Sequence, residues 1–221
     1  MNIAERIRYY KEIIPKGVEL VAVSKFHPAS MSMEAYEAGQ RIFGESRVQE
    51  FLEKKEVLPS DIRWHFIGHL QKNKVKQIIG KTTLIESVDS PALVELIDKE
   101  SEKRGVVTDI LLQVHVAAEE TKFGFDPDEL LEYIASGKIK EFKSVRICGI
   151  MGMATNTDDM NRVREDFRKI KDLSKEIQTK FSSELEDFRH ISMGMSGDWQ
   201  IAVEEGADIV RIGSSIFGER I

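Results

Sequence analysis

Short runs rich in Val, Ile, Leu and Phe alternate along this chain with longer stretches whose apolar residues recur every three or four positions. That alternation predicts parallel strands joined by helical crossovers. Eight runs qualify as strands: residues 20–25 (LVAVSK), 41–44 (RIFG), 63–67 (RWHFI), 84–88 (LIESV), 109–116 (DILLQVHV), 145–151 (VRICGIM), 188–193 (FRHISM) and 208–212 (DIVRI). Ahead of the first, Ile3, Ile7, Tyr10 and Ile14 share one face of a helix. Further helices are bounded by Ser90 as N-cap with Pro91 behind it and Gly105 past the end, and by Asp126, Pro127 and Glu129 with Gly137 closing. In the highly charged stretch 158–186, Val163, Phe167, Ile170, Leu173 and Ile177 form an apolar stripe, as on a helix with one solvated face. Residues 71–77 (QKNKVKQ) read as another solvated helix face. Eight βα units in one uninterrupted run imply an α/β chain folded as a single-domain (β/α)8 barrel over residues 1–221, with an extra N-terminal helix. An open doubly wound sheet is the alternative.

Composition narrows the function classes. With 41% hydrophobic and 32% charged residues the chain has apolar material enough for a core. Its 32 basic and 38 acidic residues leave a net charge of −6, so no cation excess exists to release counterions from a nucleic-acid backbone, and no nucleic-acid partner is expected. The single cysteine, Cys148, cannot form an intramolecular disulfide. The first fourteen residues carry charges where a secretory signal needs an apolar stretch, which suggests a cytoplasmic protein. No window approaches the length of a membrane-spanning helix.

In a (β/α)8 barrel reactive groups sit at the carboxyl ends of the strands, and phosphates are often held after strands seven and eight. The first strand ends at Lys25, after largely apolar neighbours. Desolvation there favours the free amine and hence attack on a carbonyl, although a lysine snorkelling to water would have the same sequence. After strand seven comes SMGMSGD (192–198), whose small residues let backbone N–H groups converge, with the Ser196 hydroxyl as a further donor or simply a helix cap. After strand eight, Gly213 permits close backbone approach and Ser214 adds a hydroxyl. Arg211 lies within the apolar run DIVRIG and needs a partner, either a ligand or a barrel carboxylate such as Glu86 or Glu45. His65 and His69 are four apart, but a strand and Gly68 between them make a helical metal face improbable, and no metal is expected.

Taken together, AVSK (22–25), FGES-x-VQE (43–50), WHFIGHLQKNK (64–74), SVD (87–89), E-x-x-K-x-G (119–124), SMGMSGD (192–198) and VRIGSSIFGER (210–220) resemble the pyridoxal 5'-phosphate homeostasis protein family over nearly the whole chain. The resemblance implies a barrel similar to the N-terminal domain of alanine racemase, with pyridoxal 5'-phosphate (PLP) held as a Schiff base on Lys25. It also implies phosphate held around Ser196, Gly213 and Ser214, and Arg211 directed at the pyridine nitrogen. Ser46 stands where the family usually has Asn, His115 where Asn is usual, and Ser214 where Thr is common. Ser46 is therefore a cofactor contact only by position. An arginine cannot protonate the ring nitrogen, which makes the ring a poorer electron sink, and no counterpart of the tyrosine-bearing second domain of alanine racemases is expected in these residues. The expected function is thus PLP binding in intracellular PLP homeostasis, without turnover, by a monomer or weak dimer that exchanges PLP with PLP-dependent apoenzymes. The alternatives are a weak amino-acid racemase and an aldolase or isomerase using Lys25 on a phosphorylated sugar.

Overall fold

In the computed structural model, which describes residues 1–119 and 123–219, the eight strands close on themselves in the order β1 to β8, every neighbouring pair parallel. The strands are β1 (Glu19–Val23), β2 (Ile42–Glu45), β3 (Arg63–Phe66), β4 (Leu84–Val88), β5 (Thr108–Gln113), β6 (Val145–Met151), β7 (His190–Ser192) and β8 (Ile209–Ile212). Closure comes from β8 lying beside β1, with Leu20 opposite Val210 and Ala22 opposite Ile212. The helices are α1 (Ile3–Ile13), α2 (Ala29–Glu37), α3 (Val48–Val57), α4 (Val75–Ile78), α5 (Pro91–Glu102), α6 (Pro127–Ala135), α7 (Met160–Lys180), α8 (Trp199–Glu204) and α9 (Ser214–Phe217).

The extra helix α1 forms because Asn2 and Glu5 satisfy each other's amides. The Glu5 N–H donates to Asn2 Oδ1 at 2.8 Å and the Asn2 N–H to Glu5 Oε2 at 2.9 Å. Its buried face, Ile3, Ile7 and Tyr10, lies against α2 and α9, and Arg6 Nη1 donates to the Ile216 carbonyl at 3.0 Å. The apolar stripe of α7 is buried as its spacing requires, and Asp159 caps the helix by accepting from the N–H groups of Asn161 and Arg162. Two expectations change. Ser90 occupies the N-cap of α5 but makes no side-chain bond to the helix, its hydroxyl donating to Asp89 instead. Residues 71–77 form a short 3₁₀ turn followed by α4, whose Val75 and Ile78 are buried, so that face is only partly solvated.

Two apolar clusters result. The larger joins the outer strand faces to the helices, and the smaller, including Val21, Ile42, Leu84, Leu111 and Ile209, fills the inside of the barrel. Alternate residues divide between them along β1 and β5, as the two-residue period of a strand demands, while β4 and β6 break step where the register shifts. On β8, Val210 and Ile212 join the outer cluster while Ile209 and Arg211 point inward, which places an arginine above the apolar floor.

Candidate functional site

At the carboxyl ends of the strands a cavity of about 270 Å³ opens, lined among others by Lys25, His27, Ser196, Gly197, Arg211, Gly213 and Ser214. The apolar wall is Val23, Ile67, Met151, Met153 and Met195. The volume lies near the lower end of the ~300–1,000 Å³ typical of small-molecule sites.

Lys25 is not the last residue of β1, as its sequence context suggested. The strand ends at Val23, and Lys25 sits in a turn closed by the His27 N–H donating to the Ser24 carbonyl at 3.2 Å. Lys25 and Phe26 are the two central residues of that turn. Phe26 has φ of 66°, the positive value a type II turn requires at its third position and normally takes from glycine. The backbone is thus held in an uncommon conformation next to the amine. His27, which the sequence reading passed over, is buried, stacks on Phe217 with ring centroids 5.6 Å apart, and leaves Nδ1 without a partner. Burial, with the nearby Lys54 charge, pulls His27 below the ordinary histidine range despite an opposing effect of Glu50.

The turns after β7 and β8 meet across the cavity. Gly194, at φ 92°, lets the chain leave β7 sharply, since a Cβ there would lie 2.5 Å from Ala202 Cβ. Ser196 does not cap α8, whose N-cap is Asp198; its hydroxyl accepts from the Gly213 N–H at 3.2 Å and ties the two turns together. A Cβ on Gly213 would press within 3.3 Å of the Val23 carbonyl, so glycine permits the approach of this turn to the end of β1. The amides of Ser196, Gly197, Ser214 and Ser215 donate to no other group among the described residues, and a Cβ on Gly197 would meet nothing within 4 Å. Unengaged amides, a serine hydroxyl and open space form a donor set suited to an anion.

Below this rim lies a buried polar layer. Arg211 Nη2 donates to the Gly152 carbonyl at 2.9 Å, and Nη1 donates to Ser192 Oγ. Ser192 in turn donates to Glu86 Oε2, which stands 3.6 Å from Arg211 Nη1. The other carboxylate oxygen of Glu86 lies 2.6 Å from His65 Nδ1. The partner of Arg211 is therefore Glu86, while Glu45 pairs with Lys54. Burial alone would raise the Glu86 carboxyl, but the bond and charge of His65, the charge of Arg211 and the Ser192 hydroxyl outweigh it and hold Glu86 below the usual carboxylate range. Burial pulls Arg211 down, opposed by Glu86 and Asp198; from so high a starting value the guanidinium stays charged.

The cavity thus gathers Lys25, Ser196, Arg211, Gly213 and Ser214 but not Ser46, which follows β2 at the same end and packs its backbone against Gly68. His115 is tied to its own loop, with Nε2 2.8 Å from the Glu119 carbonyl. His65 and His69 part company. The first lies inside the barrel, while the second pairs with Asp89 and stacks on Phe123. Among the described residues no group of three His, Cys, Asp or Glu side chains is placed to hold a metal ion. Lys122 and Arg220, from two of the quoted motifs, lie outside the described residues.

Such a site defines a class: a (β/α)8 barrel carrying one amine-bearing turn and an amide-lined rim at its C-terminal mouth. Comparison with known proteins assigns the chain within that class. Residues 1–221 match the family model for the alanine racemase N-terminal domain. The pyridoxal phosphate homeostasis protein of Aquifex aeolicus (strain VF5) is 42% identical, the match covering 100% of this chain and 99% of that protein. The human protein of the same name is 37% identical, over 99% of this chain and 81% of its own length. This chain belongs to the pyridoxal phosphate homeostasis protein family. Among solved structures, PipY of Synechococcus elongatus PCC7942 with PLP bound superposes with a TM-score of 0.90 at 37% identity, covering 98% of this chain and 100% of that one. An alanine racemase from Bartonella henselae shares the fold, with a TM-score of 0.71 at 19% identity; the match spans 99% of this chain and 58% of that longer chain.

Proposed function

We propose that this chain binds PLP at the mouth of its barrel and serves PLP homeostasis, as its relatives' names state of them. The observation that carries the reading is that Lys25, Arg211 and the two amide-bearing turns line one cavity. PLP brings an aldehyde that condenses reversibly with a primary amine and a phosphate that seeks N–H donors. Lys25 supplies the amine. Ser196, Gly197, Gly213 and Ser214 would hold the phosphate, and the methionines with Ile67 and Val23 would exclude water from the ring faces.

Arg211 keeps its proton, so a ring nitrogen facing it accepts a hydrogen bond and remains unprotonated. That arrangement favours holding and releasing the group over drawing electrons from a bound substrate. The same reading takes residues 1–221 as one domain of a cytoplasmic protein, monomeric or weakly dimeric, that exchanges PLP with apoenzymes. Among the described residues no helix is long and apolar enough to cross a membrane.

The test is titration with PLP and with pyridoxal. The reading expects tight uptake of PLP, weak uptake of pyridoxal and no covalent uptake by Lys25→Ala; equal uptake of the two ligands would overturn the phosphate assignment. One observation favours a second reading, weak racemisation: His27 lines the same cavity as Lys25 with Nδ1 unpartnered. Loss of α-deuterium from labelled alanine, above a PLP-only control and abolished in His27→Phe, would establish it.

A further inference from the structure

The FGES-x-VQE stretch lines none of the cavity, yet its last residue, Glu50, and Lys54 one turn further along α3 reach back to the amine-bearing turn. Lys54 is 4% exposed and spends its three protons on the Ser24 carbonyl at 2.7 Å, Glu45 Oε1 at 2.7 Å and Glu50 Oε1 at 3.0 Å. Glu50 Oε1 also accepts the Phe26 N–H at 2.6 Å. Ser24 is held a second time, its hydroxyl donating to Glu45 at 2.6 Å. Lys25 is therefore flanked by two peptide groups, and each is gripped by a charged side chain of one helix. Arg47 adds a guanidinium over the Phe26 ring, 4.4 Å from its centroid.

We infer that Glu50 and Lys54 are positioning residues for Lys25: they fix the peptide groups on either side of it and so fix where its amine can react. The inference rests on the reading of Lys25 as the PLP-bearing lysine. A plain buried ion pair anchoring α3 would need Lys54 to meet carboxylates only. Here its third acceptor is a main-chain carbonyl, and the Glu50 oxygen that meets the lysine also accepts a main-chain N–H. The geometry they impose is also one the sequence does not favour, since Phe26 at φ 66° costs free energy that glycine would not. Non-glycine residues hold such conformations where surrounding contacts over-determine them, and these contacts do so beside the reactive group. With all its protons engaged, Lys54 is also kept from competing with Lys25 for an aldehyde.

The experiment compares wild type with Lys54→Met, Glu50→Ala, Glu50→Gln and Phe26→Gly. Three quantities are read: the rate of borohydride-trapped PLP on Lys25, competitive acetylation of Lys25 by acetic anhydride in the PLP-free protein, and the PLP-free melting temperature. Glu50→Gln keeps an oxygen for the Phe26 N–H and is the conservative rescue. The expected result is trapping slowed by about tenfold or more in Lys54→Met and Glu50→Ala, the scale of one lost charge-assisted hydrogen bond. Glu50→Gln should stay close to wild type, and Lys25 acetylation should change in the same two variants. Phe26→Gly should melt no lower than wild type yet trap more slowly, because the turn then explores other shapes. Trapping and acetylation at wild-type rates in Glu50→Ala and Lys54→Met would overturn the inference, as would losses that merely follow melting temperature across all four variants. A wild type that takes no PLP while its Lys25 acetylation still depends on Glu50 and Lys54 would instead refute the PLP reading and leave the positioning role standing.

Discussion

The polar layer inside the barrel makes a strong demand on one carboxylate, and Glu86→Gln tests it. Glu86 is fully buried, accepts from Ser192, lies 2.6 Å from His65 Nδ1 and stands 3.6 Å from the 4%-exposed Arg211. The substitution keeps the shape but takes from the buried Arg211 cation its paired carboxylate, leaving only the weaker influence of Asp198. Breaking a buried pair by removing one partner costs about 3–5 kcal/mol. For a chain of this size that corresponds to a melting temperature lower by roughly 6–20 °C. The pH dependence has a definite sign. A carboxyl held below its unfolded value, about 4.3, contributes stability that is present above that pH and lost as pH falls through the folded value. The gap between wild type and Glu86→Gln should therefore be full at pH 7 and narrow on acidification below about pH 4. Urea denaturation of both PLP-free proteins at pH 7 and at the lowest pH where both still fold measures it. A pH 7 difference below about 1 kcal/mol, or one that does not shrink in acid, would refute the argument that Glu86 compensates Arg211.

Three further outcomes follow from local geometry. Gly194→Ala should cost about 2 kcal/mol or more, because φ 92° and a contact 2.5 Å from Ala202 Cβ leave no room for a methyl group; urea titration checks this. Gly197→Ala, whose new Cβ meets nothing within 4 Å, should alter stability by less than about 0.5 kcal/mol yet weaken PLP uptake in an absorbance titration. At the opposite end of the barrel, His190 Nδ1 lies 2.6 Å from Asp208 Oδ2, and this bond, against partial desolvation, raises the histidine above its ordinary value. Its contribution is complete below the unfolded value of about 6.5 and is lost as pH rises through the folded one, so Asp208→Asn should flatten the fall in stability expected as pH rises above about 6.5.

How much of this the sequence carries depends on the range of each interaction. The eight strands were legible because each run sets its own period, and their ends shifted by one to three residues where a turn competed, as at Lys25, which the Ser24–His27 turn takes out of β1. The stripe of α7 and the glycines of the β7 and β8 turns act locally and were visible too. Ser196 was read as donor or cap because its actual partner, the Gly213 N–H, is supplied by another βα unit. The choice of Glu86 over Glu45 for Arg211 could not be made from the chain, since Ser192 and Glu86 are 106 residues apart and meet only when the barrel closes. His27 passed unnoticed because nothing in SKFHP marks a histidine that turns inward, and the grip of α3 on Lys25 depends on where a helix face lands.

The most direct measurement is the visible spectrum of PLP-loaded protein before and after borohydride, with peptide mapping of the reduced adduct. A yellow protein that loses its colour on reduction, with the label on Lys25 and nowhere else, is the predicted result. A protein that takes up no PLP, or whose label falls on another lysine while Lys25 stays unmodified, would contradict the assignment of this cavity.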